Sequence, residues 1–437
     1  MTHRLHALLS LLLMVAVLMG CAGVDEAGNN DRPPPRDLNA ARQEGRLGLI
    51  APTREVRTIQ LYRTGDERRL PILPLGSGAT LTLAFDVMDI RGRPLSVYFY
   101  HANRSWRRDL TPAEYLTSFQ RDDLIDYQPS RATTVDYTHY TYQFPNNSID
   151  FRISGNYILR VTEQGMEDDV LFERAFFVSE QATSVELGLD NVLTGVSSYP
   201  SIQPLAQFTP PPSIQANVFD YNVCFMRNGQ IAEARCADRP MLAQQPALQF
   251  FLQPEASFAP EVADYVVDIG SVRVGGRIEN TDLTQSPYLV VLEPDYARFA
   301  GTGLEPLLNG QAVVNAAVRD FPDPEVSGEY VNVRFAYVPP EERPLAGDII
   351  VTGGFNGWRV EPANRLEWVP GAGRYEGTVL MKQGQYEYRY LVSDQRVQRA
   401  LTGASPRLDN LYTVFVYYND IRLQTDRLIA VNGIFSQ

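Results

Sequence analysis

Histidine moves protons and binds metals near neutral pH, and this chain of 437 residues contains four histidines. Two of them, His101 and His139, lie beyond the first twenty residues, and neither sits in the His-Glu-x-x-His spacing of a zinc site. No Gly-x-Ser-x-Gly motif supplies a serine that His139 could activate. We therefore interpret His139 as a hydrogen-bonded strand residue and not as a catalytic base.

Acidic and basic motifs give no stronger sign of catalysis. The pairs Asp122-Asp123 and Asp168-Asp169 match no twelve-residue calcium loop, so we expect solvated turns there. Lys382 is the only lysine, and no glycine-rich phosphate loop precedes it. The net charge of −13 disfavours a nucleic-acid partner, because phosphate backbones are bound by clustered Lys and Arg. We predict a protein that is not an enzyme, requires no cofactor or metal, and has no small-molecule substrate.

Aromatic residues near the C-terminus suggest a different chemistry, the stacking of sugars. Segments 354–358 and 384–388 resemble the early-set sandwich of glycogen- and starch-binding modules. In those modules exposed tryptophans stack on sugar faces and a lysine assists, roles that Trp358, Trp368 and Lys382 would take here. The same turn also occurs in early-set domains that bind no sugar, where Trp358 would cap the sandwich. We favour the structural role, with glycan binding as the alternative.

Residues 1–20 have the pattern of a lipoprotein signal peptide. Arg4 precedes the apolar run 7–19, which is too short to span a bilayer. The tetrapeptide 18–21 (Leu-Met-Gly-Cys) resembles a bacterial lipobox. We expect Cys21 to carry lipid after cleavage, with an ordinary signal peptide as the alternative.

Cys224 and Cys236 are the other two cysteines. An oxidising periplasm permits a disulfide between them, which would stabilise the fold by roughly 3 kcal/mol. A hairpin that turned at Asn228-Gly229 would place Cys224 opposite Glu233, so pairing requires a bulge or a bend. The pattern leaves paired and free cysteines equally open.

Alternation of apolar and polar residues is the dominant pattern, as in half-buried β-strands. It runs through 81–87, 140–144, 157–161, 386–390 and 412–416. The polar stretch 21–50 lacks it and predicts a flexible tether. With composition breaks at 179–184 and 339–344, we predict an all-β protein of three consecutive antiparallel β-sandwiches of the immunoglobulin-like or early-set kind. Their expected bounds are 51–181, 182–338 and 339–437.

One short helix is expected within the first sandwich. Thr111 fits its N-cap, Pro112 its first position, and Glu114 a capping box. Tyr115 and Phe119, four residues apart, would then face the sheet.

Several segments resemble the type IX secretion system plug proteins. In the first sandwich they are 110–119, 136–140, 144–146 and 155–157, and later ones follow in the family's order at 228–230, 329–331, 353–358, 380–384, 416–418 and 426–429. The chain departs from the family at the cysteine-bearing hairpin 224–236 and at 259–264, both within the expected second domain.

The resemblance implies a non-catalytic accessory that binds the giant outer-membrane β-barrel translocon of that system and blocks its periplasmic opening when no cargo passes. The protein would be lipid-anchored at the periplasmic face of the outer membrane. We expect Trp106, Arg107 and Arg108 to contact the partner, because aromatic and arginine side chains dominate interface energetics. A structural periplasmic scaffold is a further alternative.

Overall fold

Antiparallel strands are the main secondary structure of the computed structural model, with only a few short helices, which confirms the all-β class. No helix in its described part has the length and apolar composition that a membrane crossing requires. The predicted signal peptide and Cys21 lie outside the described residues. The structure describes residues 36–194, 200–214, 216–244, 246–259, 264–296, 308–316, 323–402 and 410–436.

The end of the predicted tether is folded. Helix α1 (Leu38–Glu44) begins at Asp37, whose carboxylate accepts hydrogen bonds from two backbone amides of its first turn. Ala41, Leu49 and Ile50 are buried. The prediction of a flexible segment up to residue 50 is therefore wrong from Leu38 onward, because these apolar side chains pack on the first sandwich.

The first sandwich contains nine strands in two sheets, with orders β1-β3-β7-β6 and β2-β9-β8-β4-β5. All neighbours are antiparallel except β2 and β9. The strands are β1 (Val56–Arg63), β2 (Ile72–Pro74), β3 (Leu81–Val87), β4 (Leu95–Ala102), β5 (Arg121–Leu124), β6 (Tyr127–Pro129), β7 (Thr138–Phe144), β8 (Gly155–Glu163) and β9 (Val170–Ser179).

The central strands of this sandwich are buried on both faces, not half-buried as predicted. Every residue of β3 and β4 is buried. The inner faces meet in an aromatic core that includes Phe85, Phe99 and Phe176. The outer faces are covered by the N-terminal segment and by the rest of the chain, a tertiary effect that alternation cannot reveal.

Helix α2 (Pro112–Tyr115) forms at the predicted position. The Glu114 carboxylate accepts the Thr111 amide at 2.7 Å, as a capping box requires. Tyr115 is buried and donates its hydroxyl to the carbonyl of Phe99. Because the helix ends after one turn, Phe119 lies beyond it and is 70% exposed, so the prediction that Phe119 faces the sheet is wrong.

The second sandwich is completed by the last hairpin of the chain. Its sheets have the orders β10-β11-β15-β14 and β13-β12-β26-β27, and β12 pairs with β26 over seven residues. The sheets thus do not follow the expected bounds 182–338 and 339–437. The strands are β10 (Val185–Val192), β11 (Ser201–Phe208), β12 (Tyr221–Arg227), β13 (Arg235–Ala237), β14 (Met241–Gln244), β15 (Ala247–Phe251), β26 (Leu411–Asp420) and β27 (Thr425–Phe435).

The strands β16–β25 form a third module, which we call the third body. In the sequence it lies between β15 and β26 of the second sandwich. Its sheet follows the order β16-β25-β22-β23-β24-β21-β18-β17, with β19 on β21 and β20 on β25. By its contacts, Asp37–Gln437 is one compact unit. The strands are β16 (Tyr265–Asp268), β17 (Ile278–Asp282), β18 (Leu289–Leu292), β19 (Asp295–Tyr296), β20 (Ala312–Val314), β21 (Tyr330–Val338), β22 (Ile349–Gly353), β23 (Arg365–Val369), β24 (Arg374–Lys382) and β25 (Gly384–Val392).

Short helical turns occupy several connections. Two are α-helical, α3 (Pro324–Ser327) and α4 (Gln395–Thr402). The 3₁₀ turns are Arg46–Gly48, Val218–Asp220, Ile231–Glu233, Pro254–Ala256, Gly354–Asn356 and Pro362–Asn364.

Candidate functional site

Five polar residues from distant parts of the chain meet in the interior, and we call them the Lys382 cluster. Asp86 on β3 and His139 on β7 are cross-strand partners in the first sandwich. Lys382 on β24 and Tyr330 on β21 are cross-strand partners in the third body. Glu325 on α3 is the fifth member. The two sheets therefore present these side chains to each other.

The cluster is tightly bonded around the Asp86 carboxylate. Nζ of Lys382 donates to Oδ2 of Asp86 at 2.8 Å and to the carbonyl of Glu325 at 2.6 Å. The Tyr330 hydroxyl donates to the same carboxylate at 2.7 Å, and Nδ1 of His139 lies 2.7 Å from Oδ1. The Lys382 ammonium also lies 4.4 Å from the centre of the Tyr137 ring, a cation–π contact.

Burial and charge act against each other at these groups. Burial alone would raise the pKa of the Asp86 carboxyl, but the Lys382 ammonium and the His139 contact outweigh it and hold the pKa below the ordinary 3.8. Burial raises the pKa of Glu325 above 4.5 and that of Tyr330 far above 10. The Tyr330 hydroxyl thus keeps its proton and serves as a donor.

This arrangement holds two modules together and does not expose a reactive group. The side chains of Asp86 and Lys382 are fully buried, so a substrate cannot reach them. Neighbouring loops extend the contact, since the Glu329 carboxylate accepts the Thr134 amide at 2.9 Å and the Val326 carbonyl accepts the Arg131 amide at 2.8 Å. Removing either Asp86 or Lys382 would leave the other as an uncompensated buried charge. The cluster therefore strongly favours the one arrangement of the two modules in which both charges are paired.

A second interface joins the first sandwich to the last hairpin. The rings of Phe177 and Phe415 lie 4.6 Å apart, centroid to centroid, within an apolar cluster. The Tyr417 hydroxyl donates to the Asn156 side chain at 2.8 Å. At its edge the Arg427 guanidinium forms two 2.7 Å hydrogen bonds with the Glu180 carboxylate.

The sugar platform suggested by the sequence is not formed. Trp358 is 8% exposed, donates its indole N–H to the Gly310 carbonyl at 2.7 Å, and lies under the Arg389 guanidinium. Trp368 is half-buried against the Tyr375 ring. Lys382 is enclosed in its cluster, so the three side chains share no exposed face. These contacts favour the structural role that we preferred from the sequence, and they give no support to the glycan-binding alternative.

The expected partner-binding residues are largely engaged within the chain. Trp106 is half-buried and packs edge-on against Phe177 at 5.5 Å. The Arg108 guanidinium lies 3.5 Å from the centre of the Tyr100 ring and pairs with the Glu173 carboxylate. Only Arg107 among the three has an exposed side chain without such a side-chain contact in the described residues.

The two cysteines face each other across a strand pair. Cys224 on β12 is the register partner of Cys236 on β13, and a disulfide joins them. The bend that pairing requires is supplied by the 3₁₀ turn Ile231–Glu233, which lengthens the connection beyond a tight hairpin.

The remaining candidates are structural in their surroundings. His101 is buried, with Nδ1 2.8 Å from the Asp109 carboxylate. Asp122 and Asp123 accept hydrogen bonds from Tyr142 and Ser96 respectively. Within the described residues no three His, Cys, Asp or Glu side chains group as metal ligands.

Sequence reasoning missed most of the Lys382 cluster. It singled out Lys382 as the only lysine, yet Asp86 is 296 residues away and carried no motif. Three of the segments that carry the family resemblance, 136–140, 329–331 and 380–384, each contribute a side chain to the cluster or its rim. The order of these segments along the chain was visible in the sequence, but their contact in the folded protein was not.

The fold and the enclosed cluster define an all-β protein whose modules are fixed to one another by buried contacts. Residues 56–180 match the model of the type 9 secretion system plug protein first domain, so this part of the chain is similar to the type IX secretion system plug proteins. The match supports a non-catalytic accessory role in that system, in the cell envelope and in contact with its components. The family resemblance is confirmed over this domain.

Solved structures extend the comparison beyond the first domain. A hypothetical protein from Parabacteroides merdae ATCC 43184 is 22% identical, with a TM-score of 0.77 over 89% of this chain and 99% of that chain, and it therefore shares the fold. A partial N-terminal region of an enterococcal surface protein gives a TM-score of 0.18 at 8% identity over 87% of this chain and 94% of that one, which carries no argument. Comparison with curated proteins gives no significant match.

Proposed function

We propose that this chain binds the outer-membrane β-barrel translocon of the type IX secretion system and closes its periplasmic opening when no cargo passes. The observation that carries the proposal is the plug-family domain at residues 56–180. A barrel wide enough for folded cargo leaves an aqueous hole, so the task requires a body that occupies space. Catalytic groups are not needed for it.

The packing of the modules suits this role. The Lys382 cluster fixes the first sandwich to the third body, and the Phe177–Phe415 contact fixes it to the second. A blocker that yielded at its internal joints would leak, whereas buried polar and aromatic contacts resist such movement. In our proposal, lipid on Cys21 keeps the protein at the periplasmic face of the outer membrane and raises its concentration near the pore.

We further propose that docking uses the β5 edge of the first sandwich. Among the described strands β5 pairs with β4 alone, which leaves its other edge without a described strand, and Phe119 and Ile125 flank it with 70% and 73% exposure. Exposed apolar side chains beside an unpaired strand edge are typical of contact sites. Of the residues expected from sequence, Arg107 remains available to a partner.

Affinity purification from native membranes through a C-terminal tag tests the proposal. Full-length, lipidated wild type should recover a very large β-barrel. A Phe119→Asp, Ile125→Asp double variant should recover about tenfold less, because aspartate at an apolar contact must be desolvated. The matched control is Ile421→Asp, Phe435→Asp, which alters side chains of similar exposure, 68% and 60%, in the second sandwich.

Recovery with the control and loss with the test variant would support both the partner and the docking edge. If the lipidated wild type brings down no barrel, the plug role fails and a structural periplasmic scaffold becomes the better reading. If both double variants bind as wild type, the partner stands and the proposed edge fails.

A further inference from the structure

Four parts of the chain surround a cavity of about 160 Å³ that the proposed function does not use. The N-terminal segment covers it with residues 45–52, and β9 contributes Glu173, Arg174 and Ala175. The hairpin loop at 229–232 and the turn at 357–359 close it from the second and third bodies. We call it the junction cavity, because every folded module of the chain reaches it.

Close backbone approach builds this junction. Gly229 has a φ of +68°, and a Cβ there would lie 1.9 Å from the Asn309 carbonyl oxygen, so only glycine fits. Next to it, the Gly310 carbonyl accepts the Trp358 indole N–H at 2.7 Å. Loops 228–230 and 353–358, two of the segments noted in the sequence, therefore meet at one place.

The polar lining of the junction cavity includes the cationic side chains of Arg46, Arg174 and Arg359. Its one acidic side chain, Glu173, already accepts hydrogen bonds from Arg160, Arg108 and the Ile50 amide. Arg174 donates to the Glu173 carbonyl at 3.0 Å and has no carboxylate partner among the described residues. Arg359 pairs with Glu361 through Nε and Nη2, whereas its buried Nη1 has no hydrogen-bond partner in the described structure.

Gln230 also has a buried donor without a described acceptor. It is 4% exposed, and its Oε1 accepts a hydrogen bond from Arg46 at 2.9 Å. Its Nε2 is buried and unpaired among the described residues, close to Gly310. A buried donor without an acceptor costs about 1 to 3 kcal/mol. The junction cavity therefore holds two buried donor atoms that lack a described acceptor, Nη1 of Arg359 and Nε2 of Gln230, beside the Arg174 guanidinium, whose one described hydrogen bond goes to a backbone carbonyl.

Electrostatics point the same way. Burial, and then the neighbouring Arg359 guanidinium, lower the pKa of Arg174 to about 9. Both causes disfavour the charged form. A negatively charged group in the cavity would reverse this effect on Arg174.

The apolar part of the wall consists of Leu47, Leu49, Ile59, Leu61 and Pro71. A cavity of roughly 150 Å³ holds a benzene-sized molecule, so the available space suits a group of only a few heavy atoms. The combination fits a compact anion with room for a short hydrocarbon part.

We propose that the junction cavity binds a small oxoanion, a carboxylate or a phosphate group, whose oxygens accept from Arg174, Arg359 and Gln230. Arginine forks match the geometry of both groups. Because Arg46 and its neighbours cover the cavity, the bound anion ties the N-terminal segment to the other modules. Ligand occupancy thereby controls how firmly the segment that follows the predicted lipid anchor is held.

Titration of the purified mature chain tests the site. Calorimetry and thermal unfolding are measured with sodium phosphate and with sodium butyrate, each against sodium chloride at equal ionic strength. Wild type should bind at least one of the two oxoanions saturably and unfold at higher temperature in its presence. Phosphate alone would identify a phosphate-bearing ligand, and butyrate alone a carboxylate with an apolar chain.

Two variants examine the lining. Arg174→Gln should weaken the binding about tenfold or more, since a charge-assisted bond is lost. Gln230→Glu places a carboxylate inside the cavity, so the ligand-free variant should unfold at a higher temperature than wild type and no longer respond to added oxoanion. Arg343→Gln is the control, because that side chain is 80% exposed and does not line the cavity, and it should bind as wild type.

The proposal is overturned if wild type binds neither phosphate nor butyrate beyond the chloride baseline. It is also overturned if Arg174→Gln binds with an unchanged Kd. The wild-type titration does not depend on the folding of any variant.

Discussion

On one face of the first sandwich the rings of Phe177 and Phe415 pack 4.6 Å apart, whereas on the other face Asp86 meets Lys382 in a 2.8 Å ion pair. The first contact is apolar at its centre and has ion pairs at its edge. The second has charges at its centre, fully buried. Apolar packing tolerates small shifts, but a buried ion pair is favourable only at one geometry.

The difference suggests a division of labour. The aromatic interface supplies free energy through buried apolar area. The Lys382 cluster supplies little net free energy but penalises any other arrangement of the two modules. For a protein proposed to fill an opening, a fixed arrangement is the useful property.

The largest effect is expected from Lys382→Met. It leaves the buried Asp86 charge without its cation, which should lower the free energy of unfolding by about 3 to 5 kcal/mol, measured by chemical denaturation. Adding Asp86→Asn should restore part of the loss, because the buried charge is removed while the amide oxygen still accepts from the Tyr330 hydroxyl. If Lys382→Met lowered the free energy of unfolding by less than about 1 kcal/mol, the proposed difference between the charged and the apolar interface would be contradicted.

Phe415→Ala examines the apolar interface. Removing the buried ring should cost about 3 kcal/mol through lost burial and the cavity left behind. Phe435→Ala, at a ring that is 60% exposed on the neighbouring strand, should stay within about 0.5 kcal/mol of wild type. Equal losses in both variants would mean that the Phe177 contact is not the stabilising centre.

Arg427→Gln examines the edge of the same interface. The side chains of Arg427 and Glu180 are 25% and 15% exposed, so their pair should contribute only about 1 kcal/mol. The cost of the substitution should fall in 1 M salt, because partly exposed charges are screened. A cost as large as that of Lys382→Met, or one insensitive to salt, would contradict the assignment of this pair to a solvated edge.

A smaller and more specific effect is expected with pH. The pKa of Asp86 is lower in the folded protein than its ordinary 3.8, so its stabilising contribution is complete above that value and is lost as pH falls through the folded pKa. Wild type should therefore lose stability more steeply below pH 3.8 than Asp86→Asn does. Parallel slopes in acid denaturation would show that Asp86 is not stabilised in its charged form.

Much of the secondary structure could be predicted from local patterns in the sequence. Alternating side chains predicted the strands, and Thr111 with Glu114 predicted a capped helix that forms in place. The pairing partners of the strands could not be predicted. Apolar and polar residues alternate in β26 in the same way whether the strand pairs in the second sandwich or in the third body. The orientation of Phe119 was predicted wrongly because the helix was expected to reach that residue, whereas it ends at Tyr115.

The candidate sites were harder to predict for the same reason. The sequence favoured a structural role for Trp358, but not its partner, the carbonyl of Gly310, which is distant in sequence and accepts the indole N–H. The donors of the junction cavity come from three bodies and carry no shared motif. Single-sequence patterns describe neighbours along the chain, and these sites consist of neighbours in space.

The most direct measurement of the central claim is the conductance of the purified type IX translocon in a planar bilayer, before and after this chain is added on the periplasmic side. Closure by occupancy predicts that the open conductance falls and returns when the chain is washed away. An unchanged conductance while the chain remains bound to the barrel would contradict the account.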